Sequence, residues 1–194
     1  MNEVLKLSED GKKLLWADKS ITNVTIPKGV KIIGEDWFNS SLITAVVIPE
    51  SVEEIGFGAF RNCHKLTSVQ LPYSLKKIGE QAFAATGLAS LQIPEGVTEI
   101  GGAAFFNSRS LRSIIIPSTM EIMMNPFVAV ELHEAYIYIT DLDRIKFGGH
   151  LKCKYLYVPS GKIEAYKQHP VFGKVEHIIE MNQETYNWVS FFFF

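Results

Sequence analysis

The stretch IGFGAFRNCHKLTSVQLPYSLKKIGEQAF, residues 55–83, contains one complete unit of a repeat and the beginning of the next. Ile55, Gly56 and Phe60 recur 23 residues further on, as Ile78, Gly79 and Phe83. The prolines that close successive units are spaced by 22 or 23 residues, at Pro27, Pro49, Pro72, Pro94 and Pro117. A period this regular predicts a solenoid in which each unit forms one coil.

Positions counted from the proline keep one chemical type from unit to unit. Isoleucine and then glycine follow after six residues, at Ile33-Gly34, Ile55-Gly56, Ile78-Gly79 and Ile100-Gly101. Phenylalanine follows after eleven residues, at Phe38, Phe60, Phe83 and Phe105. Apolar residues stand three before each proline, at Val24, Val46, Val69, Leu91 and Ile114.

These columns have a physical interpretation. The alternation before each proline is that of a strand with one face in the core. Proline lacks an N–H donor and ends the strand, glycine permits a close backbone approach, and phenylalanine fills the coil on its return leg. Since one coil cannot fold alone, the strands are expected to stack in parallel over at least three units.

The pattern of residues 55–83 is similar to the BspA-like leucine-rich repeat, and the resemblance extends over about residues 20–180. It implies a right-handed leucine-rich-repeat solenoid with a parallel β-sheet on the concave face and an irregular or short helical convex side. It also implies a family dominated by cell-surface proteins, some of them linked to adhesion to host matrix proteins or to other cells. The family has no catalytic motif, so we expect the protein not to be an enzyme.

Three regions are expected along the chain. Residues 1–19 are predicted to form a capping hairpin, residues 20–159 about seven repeats of 19–23 residues, and residues 160–194 a C-terminal cap. The pattern degrades after Pro117, and with Thr140 in the place of a proline the last two steps are 23 and 19 residues.

The predicted C-terminal cap contains a short helix over about residues 161–168 and ends in the apolar tail SFFFF. The tail has no place in the repeat. Capping of the last coil is the first interpretation, an accident at the end of the gene the second, and a functional role the third.

Outward strand positions near the C-terminal end carry four tyrosines, which are predicted to form one contiguous patch on the concave face. Tyr138 and Tyr157 are aligned with Ile115 in this interpretation, and Tyr136 and Tyr155 stand two residues before them. Tyrosine offers a large contact area and a polar tip, which favours a binding surface. The alternative is that the rings support one another across strands or pack under the C-terminal segment. The candidate binding residues are Tyr136, Tyr138, Tyr155, Tyr157, Ile115 and Arg112.

Composition and charge exclude several classes of partner. The 194 residues carry a formal net charge of −2 without a basic run, so nucleic-acid binding is not expected. No apolar stretch reaches the roughly 20 residues that a membrane-spanning helix needs. The five histidines form no spaced ligand pair, so neither a metal nor a cofactor is expected. Cys63 and Cys153 fall four coils apart, beyond disulfide reach, and are predicted to be free thiols.

Two function classes follow. The first is a non-catalytic module that binds a protein or carbohydrate ligand on its concave face, as part of an adhesin-like surface protein. The second is an intracellular scaffold or regulatory repeat protein. We expect a cell-surface or secreted location if an export signal lies upstream of Met1 and a cytoplasmic one otherwise, and we expect a monomer.

Overall fold

The computed structural model describes residues 5–182 and Thr185. Within them the chain forms a β-solenoid of about eight turns with parallel sheets, which confirms the predicted leucine-rich-repeat solenoid. The described strands are, in chain order, β1 (Leu5–Leu7), β2 (Lys13–Ala17), β3 (Asn23–Thr25), β4 (Ile32–Ile33), β5 (Ala45–Val47), β6 (Glu54–Ile55), β7 (Ser68–Gln70), β8 (Lys77–Ile78), β9 (Ser90–Gln92), β10 (Glu99–Ile100), β11 (Ser113–Ile116), β12 (Ile122–Met124), β13 (Leu132–Ile137), β14 (Lys146–Gly148), β15 (Cys153–Val158) and β16 (His177–Glu180).

The strands that precede the repeat prolines form what we call the front sheet. It has two parts, β3-β5-β7 and β9-β11-β13-β15-β16, and its neighbouring strands are all parallel. Its inward residues, such as Val46, Leu91 and Ile114, are buried in the main core. The alternation before each proline therefore does place one face of these strands in the core.

The return leg of each turn, expected to be irregular or short helical, instead carries a second sheet, the back sheet. Its strand order is β1-β2-β4-β6-β8-β10-β12-β14, and apart from the antiparallel hairpin β1-β2 its strands are parallel. The glycine column explains how the turns come close enough to pair. A Cβ added at Gly101 would lie 2.5 Å from the backbone nitrogen of Glu80, and one at Gly79 would lie 2.7 Å from the carbonyl carbon of Gly56.

We predict that Gly101→Ala lowers the free energy of unfolding by about 2–3 kcal/mol, because the new methyl group meets backbone that cannot move without separating two turns. The adjacent Gly102→Ala is the matched control, since its added Cβ would lie 3.4 Å from the nearest atom, which is ordinary contact. Reversible urea unfolding measures both. Equal stabilities of the two variants would contradict this role for the glycine column.

The phenylalanine column forms a continuous stack through the core. Neighbouring rings lie with centroids 5.2–6.1 Å apart and planes within 14° of parallel, in the order Phe38, Phe60, Phe83, Phe105 and Phe127. Phe127 belongs to the stack although it stands one residue short of the sequence column. Each of the five rings is at most 4% exposed.

Two left-handed residues flank every ring of the stack. The left-handed residues that stand two positions before a phenylalanine of the stack are Asp36, Gly58, Gln81, Ala103 and Asn125. The left-handed residues that stand two positions after it are Ser40, Asn62, Ala85, Asn107 and Ala129. Their positive φ turns the backbone so that alternate N–H groups point to the next turn. Around Phe60, for example, the N–H groups of Gly58, Phe60 and Asn62 donate to carbonyls of the following turn at 2.8–2.9 Å.

We expect Phe83→Ala, in the middle of the stack, to cost about 3–5 kcal/mol of unfolding free energy, because it leaves a cavity between two neighbouring rings. Phe106→Ala serves as the control, since Phe106 is 43% exposed and lies outside the stack. Reversible urea unfolding again provides the measurement. A loss below about 1 kcal/mol for Phe83→Ala would show that the stack is not the core of the fold.

Small buried side chains satisfy carbonyl groups beside the stack. Cys63 Sγ donates to the carbonyl oxygen of Phe38 at 2.9 Å, and Ser108 Oγ donates to that of Phe83 at 2.8 Å. Buried backbone carbonyls require such partners.

Burial raises the pKa of Cys63, and it raises the pKa of Cys153 to about 12. Both cysteines are free, as predicted, and their thiols are protonated at neutral pH.

The last turn differs from the others. Its return leg contains the helix α1 (Ile163–Gln168) and the 3₁₀ turn Phe172–Lys174, and an earlier 3₁₀ turn spans Leu142–Arg144. Tyr166 of α1 is fully buried and its hydroxyl donates to the carbonyl oxygen of Ile139 at 2.8 Å. The final strand, β16, then pairs in parallel with β15. The SFFFF tail, residues 190–194, lies outside the described residues.

The register of the tyrosine-bearing strands differs from the sequence interpretation by two residues. Tyr136, and not Tyr138, is the partner of both Ile115 and Tyr157. Tyr138 therefore occupies the proline position, 21 residues after Pro117 and 21 before Pro159, so the assignment of that position to Thr140 was wrong. A shift of two leaves the inward and outward faces unchanged, which is why alternation alone could not detect it.

Candidate functional site

The corrected register defines two outward rows across the C-terminal strands of the front sheet. One row runs Ser113, Glu134, Tyr155 and His177, and the other runs Ile115, Tyr136, Tyr157 and Ile179. The six candidate residues are thus divided between a polar environment and an apolar one.

The apolar part, which we call the outer cluster, consists of Ile115, Tyr136, Tyr138, Tyr157 and Met181. Ile115 and Tyr136 are only 4% and 3% exposed. The rings of Tyr136 and Tyr157 stack with centroids 4.6 Å apart and planes 7° from parallel. The outer cluster is therefore a small second core on the outward face of the front sheet. Two of the predicted binding residues, Ile115 and Tyr136, are inaccessible to a ligand in this cluster.

One polar contact links the outer cluster to the neighbouring row. The hydroxyl of Tyr136 donates to Glu134 Oε2 at 3.0 Å. Burial, more than the nearby carboxylate, raises the pKa of Tyr136 above its ordinary value, and burial also raises the pKa of Tyr157. Both phenols are neutral at physiological pH, so the contact is a hydrogen bond from a phenol to a carboxylate, which is among the stronger kinds.

The polar part, which we call the polar groove, lies beside the outer cluster where the strands begin. Its volume is about 400 Å³, and its lining residues are Arg112, Glu131, Leu132, His133, Glu134 and Lys154. Arg112 Nη1 donates to the carbonyl oxygen of Glu131 at 3.5 Å, which holds the guanidinium at the wall of the groove. The groove thus presents two cationic and two carboxylate side chains to solvent.

Tyr155 forms an aromatic surface next to this groove. Its ring is stacked on His177 with centroids 5.2 Å apart and meets His133 edge-on at 5.4 Å. The ammonium of Lys154 lies 5.1 Å from the centre of the same ring. Tyr155 is half-buried, so part of its ring is available to a ligand.

The structure brings Arg112 to the polar groove and Tyr155 beside it, whereas Ile115, Tyr136, Tyr138 and Tyr157 share the outer cluster. Sequence reasoning missed four neighbours of Tyr155: His133, Glu134, Lys154 and His177. The signal that could have found them is the strand register, since Glu134 and His177 occupy the same row as Tyr155.

Residues 5–182 and Thr185 hold no group of three His, Cys, Asp or Glu side chains placed to bind a metal ion. Among the helices of that same part of the chain, none is long and apolar enough to cross a membrane.

Comparison with known proteins assigns the family. Residues 12–132 match six copies of the BspA-type leucine-rich repeat region, and the chain belongs to this family. A search of curated protein sequences gives no significant match.

Solved structures share the fold. The pneumococcal vaccine antigen PcpA is 23% identical with a TM-score of 0.78, over 91% of this chain and 46% of its own. A leucine-rich cell-surface protein from Faecalibacterium prausnitzii is 28% identical with a TM-score of 0.63, over 76% of this chain and 41% of its own. A leucine-rich repeat protein from Bacteroides ovatus is 20% identical with a TM-score of 0.51, over 92% and 68%. The chain thus spans less than half the length of the first two.

Proposed function

We propose that the chain is a non-catalytic binding module of an adhesin-like cell-surface protein, and that a protein or glycan ligand binds at the polar groove and Tyr155. The observation that carries the proposal is the groove itself, where Arg112, Lys154 and Glu134 line one open space on the front sheet, with the Tyr155 ring beside it at 5.1 Å from the Lys154 ammonium. Solenoid repeat proteins use extended surfaces of this kind to bind their partners.

The chemistry of the groove suits polar ligands. Arg112 and Lys154 supply several N–H donors, and the carboxylate of Glu134 is an acceptor that already receives the Tyr136 hydroxyl at 3.0 Å. The exposed part of the Tyr155 ring provides apolar contact area beside these polar groups. The two histidines hold that ring from both sides. Small aromatic and arginine clusters of this kind carry much of the energy of protein interfaces.

Two comparisons support the surface location. The chain belongs to the BspA-type repeat family, and the Faecalibacterium prausnitzii neighbour is described as a cell-surface protein. The chain spans less than half the length of its first two structural neighbours. Its membership of an adhesin-like surface protein is therefore part of the proposal.

The proposal is tested by binding to arrays of matrix proteins and glycans. We expect Arg112→Ala and Tyr155→Ser each to weaken the binding seen with the parent by about tenfold or more, or about 1.4 kcal/mol. The matched controls are Arg109→Ala and Tyr73→Ser, because Arg109 and Tyr73 are exposed residues outside the groove. Circular dichroism confirms that all variants are folded.

Equal binding by the groove variants and their controls would place recognition elsewhere on the chain. A folded parent that binds no component of the arrays would contradict the adhesin-like function, and the intracellular scaffold would then be the better hypothesis. Ile115 and Tyr136 are left unchanged in this experiment because their burial makes a loss of folding hard to separate from a loss of binding.

A further inference from the structure

The two carboxylates of the polar groove already have partners within the protein. Glu131 Oε2 lies 3.2 Å from the ammonium of Lys152, so its negative charge is paired. Glu134 Oε2 accepts the hydrogen bond from the hydroxyl of Tyr136 at 3.0 Å. A carboxylate can accept about four hydrogen bonds. Glu134 therefore keeps acceptor sites for further hydroxyl groups.

The two cations of the groove are held in place but carry no counter-charge. Arg112 Nη1 donates to the carbonyl oxygen of Glu131, which uses one of the five N–H donors of a guanidinium. The ammonium of Lys154 lies over the ring of Tyr155. In the part of the chain that the structure describes, neither cation lies within ion-pair distance of a carboxylate. The groove therefore offers positive charge and N–H donors to a ligand.

We propose that the ligand of the polar groove is an acidic glycan, whose carboxylate or sulfate group binds Arg112 and Lys154 and whose neighbouring hydroxyl groups donate to Glu134. This inference rests on the proposed function, because it names the ligand class of the same site. The planar fork of a guanidinium matches the oxygens of such an anionic group. The groove volume of about 400 Å³ is within the range of small-ligand sites, about 300–1,000 Å³.

An acidic peptide side chain matches the groove less well than an acidic sugar does. The carboxylate of an aspartate or glutamate is an acceptor only, so it would satisfy the two cations and bring a like charge toward Glu131 and Glu134. Like charges placed together across an interface are costly. An acidic sugar carries its negative group and several hydroxyl donors on one ring. It therefore meets the cations and the Glu134 acceptor at the same time.

An array of matched pairs tests the ligand class with the full chain. Each carboxylate-bearing glycan is immobilised beside its methyl ester, and each sulfated glycan beside its desulfated form, so that the members of a pair differ in the negative group. A poly-glutamate peptide is included. We expect the chain to bind at least one acidic glycan about tenfold or more tightly than its neutral partner. The two kinds of pair show whether the anionic group is a carboxylate or a sulfate.

Variants then locate this preference in the groove. Arg112→Gln and Lys154→Gln should each reduce the preference for the acidic member by about tenfold, because each removes a positive charge and keeps a polar side chain. Arg109→Gln and Lys65→Gln are the matched controls, since both residues are exposed, lie outside the groove and lose the same charge. Circular dichroism checks that every variant is folded.

The outcomes separate this inference from the proposed function. If Arg112→Ala weakens binding of a protein or glycan but no pair shows a preference for its acidic member, the acidic ligand is wrong and the proposed function stands. Tighter binding to poly-glutamate than to every acidic glycan would make the ligand an acidic peptide and overturn the inference. A preference that survives in both groove variants as it does in the controls would also overturn it, and a folded parent that binds nothing would contradict both proposals.

Discussion

The stack of five phenylalanine rings is the constraint on which the rest of the solenoid depends. Each ring closes one turn and contacts the ring of the next turn at 5.2–6.1 Å. The left-handed residues on either side point backbone N–H groups at the following turn, so the stack is tied by hydrogen bonds as well as by packing. Because each turn contacts only its neighbours, stability is the sum of such local interfaces, which is why the unit must be repeated.

The parts of the fold with a side-chain signature could be predicted from the sequence, and the parts without one could not. Proline, isoleucine, glycine and phenylalanine recur at fixed distances, and they identified the front strands and the core. The back strands are as short as two residues, too short for a period to be visible. The left-handed positions carry Gln81 and Ala103 as readily as Gly58, so their conformation is imposed by the turn and by the bonds it makes.

Of the six predicted site residues, Arg112 lines the polar groove and Tyr155 lies beside it, whereas the other four share the outer cluster. Alternation showed which residues of β13 and β15 point outward, yet a period of two permits a shift of two residues, and the shift exchanged Tyr136 for Glu134 in the row of Tyr155. The burial of Tyr136 agrees with the alternative interpretation, in which the rings support one another across strands or pack under the C-terminal segment, because Tyr136 stacks on Tyr157 and shares the outer cluster with Met181. The recognition surface that we propose is therefore the polar groove on the front sheet, with Tyr155 beside it and between two histidines.

Native-state hydrogen exchange of the amides of Phe60, Phe83 and Phe105 tests the central claim most directly. These N–H groups donate across turns at 2.8–2.9 Å beside the stacked rings. If the stack unites the turns, they exchange only by global unfolding, with the same free energy as the most protected amides of the front sheet. If they exchange well before the amides of the front sheet, the stack only fills the coils and the front sheet alone holds the solenoid together.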